Sequence, residues 1–232
     1  MSRTIALLSA FLSAAVALKN DTTHATLSII EPGFSGIVSF SHLPYTKCLE
    51  TSEAAFDIAI LGMPFDTTTT YRPGARFGPQ GVRMGSRRQQ AHYSGFTTFL
   101  GFDPYKQGKT VIDCGDVPIS PFDNLVAYGD LLGRKILDPK PETRKHQMSK
   151  LTKSGTEIPR IITIGGDHTL VLPIVRALGP HYGPISIIHL DSHPDTGPMR
   201  PNDPIHHGSY FTAAYAEGLL TNSSAHVGIR QK

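Results

Sequence analysis

Several classes are excluded by what the chain has little of. Its formal net charge is only +3 over 232 residues, and no basic block exceeds the pair Arg87-Arg88. Nothing therefore favours a nucleic-acid partner. No membrane-spanning helix is expected either, because the apolar run from Ile5 to Leu18 falls short of the roughly 20 residues a span requires. Cysteine occurs twice, at Cys48 and Cys114, too few for a disulfide-built scaffold. Their separation in sequence says nothing of their distance in space, so a bond between them is left open. What is present is 39% hydrophobic residues with 22 Gly and 18 Pro, the composition of a globular protein rich in tight loops. The length suits one domain with a substantial core.

The first 18 residues read as a secretory signal peptide: Arg3, an apolar stretch interrupted only by serine, then Ala15 and Ala17 as small residues before a cleavage point. A buried N-terminal helix is the competing reading. Residues 19–54 form an N-terminal extension and 55–232 the main domain. Asn20 and Asn222 lie in N-glycosylation triplets, which agrees with an extracellular location.

From Ala55 the pattern becomes regular. Strands are expected over 56–61, 110–113 and 161–164, and helices over 79–90, 123–136 and 169–178, with a charged connector over 138–159. A further strand at 185–190, a helix ending near Glu217 and a strand over 225–229 close the chain. The loop after the first strand carries Asp66, four threonines, Tyr71, Arg72 and Arg76. Arg83, Arg87 and Arg88 are expected on the solvated face of their helix.

Two strand ends carry the chemistry. Ile185 to Leu190 reads as a buried strand, followed at once by Asp191, His193 and Asp195. On a straight strand Asp191 and Asp195 would stand roughly 13 Å apart, at about 3.3 Å per residue, far beyond metal bonds of about 2 Å. The chain must therefore curl, and Pro194, Gly197 and Pro198 suit a turn. Taken alone, the pattern serves a metal site and a strand ending in a polar loop equally well. The preceding strand ends in Gly165-Gly166-Asp167-His168, with Asp167 read as a helix cap. In a parallel sheet both strand ends face one edge, which brings His168 within reach of 191–195.

The motifs G-G-D-H at 165–168, H-L-D-S-H-P-D at 189–195, H-G-S-Y-F at 207–211 and V-G-I-R at 227–230 resemble, in order and spacing, those of the ureohydrolases, the arginases and agmatinases. M-P-F-D and R-P-G-A-R-F-G-P-Q-G-V-R look most like the agmatinase branch, and the segment before D-C-G-D is similar to secreted fungal members. The resemblance implies an α/β fold, a three-layer α/β/α sandwich with a mainly parallel sheet, and two Mn(2+) ions. The implied reaction hydrolyses a small guanidino substrate to urea and an amine, in an enzyme that commonly forms a homo-oligomer. It assigns His168, Asp191, His193 and Asp195 as metal ligands, Asp191 as the bridge between ions, and His207 as a proton-shuttling or substrate-facing residue. Imidazole with carboxylate suits Mn(II), and two neighbouring cations would make water acidic enough to yield hydroxide near neutral pH. Gly197 stands where arginases tend to carry an asparagine that reads the α-carboxylate, which tilts the substrate towards agmatine or a guanidino acid and away from arginine. The family's later S-x-D-x-D motif does not occur in this sequence. A domain incomplete at its C-terminus, one ion or none retained, and poor stability are the corresponding expectations.

Overall fold

The computed structural model describes residues 33–50, 56–91, 95–120, 153, 158–200 and 202–231. The elements among them are β1 (Ile58–Met63), α1 (Gly78–Ser86), β2 (Val111–Asp116), β3 (Arg160–Gly165), α2 (Val171–Tyr182), β4 (Ile188–Leu190), α3 (Tyr210–Ala216) and β5 (Ala225–Val227). The helix expected over 123–136 and most of the connector after it lie outside the described residues, as do the first 18. No helix among the described residues is long and apolar enough to cross a membrane.

Two sheets form, ordered β2-β1-β3 and β4-β5, and every pairing is parallel. Because successive strand residues point to opposite faces, β1 has two separate cores. Ala59, Leu61 and Met63 pack with Ile112, Cys114 and Leu170, where Ile174 of α2 joins them. On the opposite face Ile60 packs with Leu43, Ala91, Val111 and Ile164. That face also carries α1: a Cβ on Gly62 would lie 2.9 Å from the Cβ of Pro79. Helices on both faces of a parallel sheet give the expected α/β/α layers.

The second sheet departs from expectation. Ile185 and Ile187 turn towards Leu172, Val175, Phe211 and Ala214 of α2 and α3, whereas Ile188 is 78% and Leu190 77% exposed. The strand predicted as buried is covered on one face only, since nothing among the described residues lies over the other. Between β3 and Ile185 runs an apolar groove of about 330 Å³, lined also by Ile174, Ala177 and Leu178 of α2.

Two further points concern the first sheet. Residues from Ile37 on belong to the same compact unit as the sheet. Asp113 donates its N–H to Pro44 O at 2.9 Å and accepts one from Thr46 N at 2.9 Å, so the segment runs beside β2. That path brings Cys48 to Cys114, Cα to Cα 5.2 Å, and the two form the disulfide that sequence reasoning left open. Closing a loop across a separation of 66 residues stabilises by about 4 kcal/mol in the chain-entropy picture. Cys48→Ala/Cys114→Ala is therefore expected to melt roughly 8–16 °C lower in calorimetry, at about 2–4 °C per kcal/mol; a shift under about 2 °C would refute that loop-closure account.

The second point is a correction to Arg83, predicted to be solvated. Its side chain is only 8% exposed, and its guanidinium donates to Asp113 at 2.8 and 2.9 Å, to Asp116 at 2.5 Å and to the Gly115 carbonyl at 2.9 Å. Asp113 lies on the same face of its strand as Ile60, the face α1 covers, so a helix residue turned inwards meets a carboxylate there.

Candidate metal centre

The end of β3 is shaped by a close crossing of two loops. A Cβ on Gly166 would stand 2.2 Å from Phe65 O and 2.7 Å from Met63 O, so only glycine fits. The Asp167 N–H donates to Phe65 O at 2.8 Å. Its carboxylate accepts from the Thr169 N–H at 2.9 Å and from the Thr68 hydroxyl at 2.6 Å. Asp167 is thus the helix cap expected, committed to backbone and threonines, and His168 is the residue left to project from the strand end.

At the neighbouring strand end the required curl is present. The Asp191 N–H still pairs with Val227 O at 3.0 Å, but its carboxylate already accepts the His193 N–H at 2.8 Å, an Asx turn. Asp195 then adopts φ +53°, a left-handed conformation that aspartate tolerates better than most residues and that recurs at functional sites. The curl returns Asp195 towards Asp191, which a straight strand could not do.

The result is a compact cluster. His168 Nδ1 lies 2.8 Å from Asp195 Oδ2 and 3.2 Å from Asp191 Oδ2. His189 Nε2 lies 3.6 and 3.8 Å from the same two oxygens. One ligand atom from each of the four residues falls within 4.8 Å of all the others. Adjacent ligands of an octahedral ion with bonds of about 2.1 Å stand about 3 Å apart, so His168, Asp191 and Asp195 fit a divalent cation. Two carboxylates with two imidazoles suit Mn(II) or a similar metal.

Burial alone would raise the Asp191 carboxyl, but the His193 N–H and the imidazoles of His168 and His189 outweigh it and hold the group below its ordinary 3.8. Burial pushes His189 below its ordinary 6.5, against the pull of the two carboxylates. Both shifts favour the protonation states a cation requires.

Three of the predicted ligands, His168, Asp191 and Asp195, are brought together. His193 stands beside them, its side chain 56% exposed and its Nδ1 3.7 Å from Asp191 Oδ1, outside the four-residue group. His207 is also outside the group, its Nδ1 3.0 Å from the Thr68 carbonyl. His189 was not among the predicted site residues. The same alternation that pairs Asp191 with Asp195 puts position 189 on that face, so the signal was in the sequence. The loop before α1 closes the surroundings: Asp66, buried, accepts from Arg76 Nε at 2.6 Å and the Gly74 N–H at 2.5 Å. Gly197 is held by Gly208 O at 2.8 Å, and a Cβ there would lie 2.7 Å from that oxygen. Glycine at 197 therefore has a packing reason besides any role in selectivity.

Comparison with known proteins places these features. Residues 56–232 match the arginase family. A Schizosaccharomyces pombe relative bearing an agmatinase name is 46% identical over 207 residues, 85% of this chain and 52% of its own length. The mitochondrial agmatinase of Gallus gallus is 36% identical over 196 residues, 84% of this chain and 50% of its own. Among solved structures, the proclavaminate amidino hydrolase of Streptomyces clavuligerus aligns with a TM-score of 0.67 at 29% identity, covering 87% of this chain and 60% of that one. A hypothetical agmatinase from Burkholderia thailandensis aligns at 0.69 and 31%, covering 87% and 57%. The chain thus spans about half the length of the curated relatives it matches.

Proposed function

Because this chain belongs to the arginase family, we propose that it acts on guanidino compounds, with Mn(II) as its metal and agmatine, cleaved by water to putrescine and urea, as its first substrate. The observation that carries the reading is the convergence of His168, Asp191 and Asp195 at adjoining strand ends. The agmatinase names of two relatives support the choice of substrate.

In this reading His168, Asp191 and Asp195 hold one ion, and Asp191 with the adjacent His193 would serve a second. Bound Mn(II) supplies Lewis acidity that yields a water-derived nucleophile near neutral pH. Asp191 and Asp195 place negative charge where a guanidinium must dock, which orients the cation and offsets its desolvation. The Thr68 carbonyl fixes the proton of His207 on Nδ1, leaving Nε2 free to accept a proton and return it to the departing amine. The disulfide supports a secreted, oxidising location.

One observation favours a second reading. Among the described residues there is a single four-residue ligand group, which suits a protein that binds one ion without turnover. Mn(II) stoichiometry measured alongside urea release from agmatine, arginine and 4-guanidinobutyrate separates the two. The hydrolase reading expects urea from agmatine at the highest rate; bound metal with no urea from any substrate favours the second, and no bound metal refutes both.

A further inference from the structure

Tyr210 is the largest side chain with essentially no exposure, at 0%, yet it carries a hydroxyl into the edge of the metal cluster. That hydroxyl is 3.4 Å from His189 Nε2, the same atom that stands 3.8 Å from Asp195 Oδ2. Burial, and after it the Asp195 carboxylate, push the phenol far above its ordinary 10. The ring stands edge-on to His168 at 6.0 Å between centroids and lies against Phe211 at 4.3 Å. Phe211, Ala213 and Ala214, which follow on α3, are all buried. The hydroxyl is therefore fixed by the packed core, whereas Asp195 lies on an irregular loop with a left-handed backbone.

We propose that Tyr210 is a positioning residue of the metal centre, its buried hydroxyl donating to Asp195 and holding that carboxylate turned towards His168 and Asp191. A carboxylate on a loop can rotate about χ1 and χ2, and a metal must then overcome that freedom when it binds. A donor anchored in the core removes much of that freedom beforehand, the role outer partners play around ligands. His189 belongs to the same arrangement: its Nδ1 is 3.0 Å from His226 Nδ1, one donating to the other, which holds its ring with Nε2 towards Tyr210 and the carboxylates.

The inference rests on the metal-centre reading, and the test separates the two. Tyr210→Phe keeps the ring and removes only the hydroxyl. Titration of the wild-type chain and the variant with Mn(II), followed by calorimetry and by the electron paramagnetic resonance of free Mn(II), gives the dissociation constant. Tyr210→Phe is expected to bind about 10- to 100-fold more weakly, the usual cost of losing an outer partner, while the metal-free melting temperature stays within about 2 °C of wild type. A purely structural role predicts the reverse, a lower melting temperature with an unchanged dissociation constant. Tyr210→Met, apolar and without a donor, provides the same measurement if the phenylalanine variant fails to fold. A wild-type chain that binds no Mn(II) sinks the metal-centre reading, whereas a wild type that binds with a folded variant of equal affinity sinks this inference alone.

Discussion

Asp191→Ala is expected to weaken Mn(II) binding by more than about 100-fold, beyond the range seen when only an outer partner is lost. Asp191 reaches both imidazoles of the cluster, with one oxygen 3.2 Å from His168 Nδ1 and 3.6 Å from His189 Nε2. Its removal leaves His168 and Asp195 as a pair, too few ligands to hold a divalent ion against water. Urea release should fall with metal loading. The metal-free protein should lose only about 1 kcal/mol, the cost of the hydrogen bond from the His193 N–H to the Asp191 carboxylate. Unchanged affinity in calorimetry, with the variant folded, would place the metal elsewhere.

The second large effect is on stability. Arg83→Met is expected to cost about 3–5 kcal/mol, because it strands the fully buried Asp113 carboxylate without its cation. For a chain of this size that is a fall of roughly 6–20 °C in melting temperature. Burial works against the Arg83 charge, yet Asp113 and Asp116 outweigh it and raise its hold on the proton. Asp116 is 42% exposed at its side chain, and Asp116→Asn should cost no more than about 1 kcal/mol. Pairing Arg83→Met with Asp113→Leu should recover much of the loss, since an apolar pair can replace a buried ion pair. A double variant no more stable than Arg83→Met alone would show that the helix depends on charge rather than on filled space.

The strand ends were legible because their logic is local. Glycines at 165 and 166, a capping Asp167 and the turn formers after Asp191 each have a conformational reason within a few residues, and the parallel arrangement then brings His168 to Asp195. The disulfide was not legible, because it depends on how residues 44 to 48 pair with Asp113, a long-range backbone contact without a periodic signature. Arg83 was misplaced for a related reason: helix periodicity marks a face but cannot show that a carboxylate waits beneath it. Ile188 and Leu190 fit a buried parallel strand in pattern, and only the set of neighbours actually present reveals that one face stays open. Tyr210 was hidden by the opposite fault, since it is unremarkable in its own segment and gains meaning only beside His189.

The two sheets have a mechanical consequence. Their strands do not pair with one another, and the apolar groove lies along the seam where they face. His168 comes from the β3 side of that seam and Asp191 and Asp195 from the β4 side, so a bound ion is a rivet driven through it. Ligand present at 100 times its dissociation constant stabilises the native state by about 2.7 kcal/mol, and here that energy falls on a join that has no hydrogen-bonded ladder among the described residues. Metal loading should therefore slow amide exchange most in β4 and β5, and least in β1, which is paired along both edges.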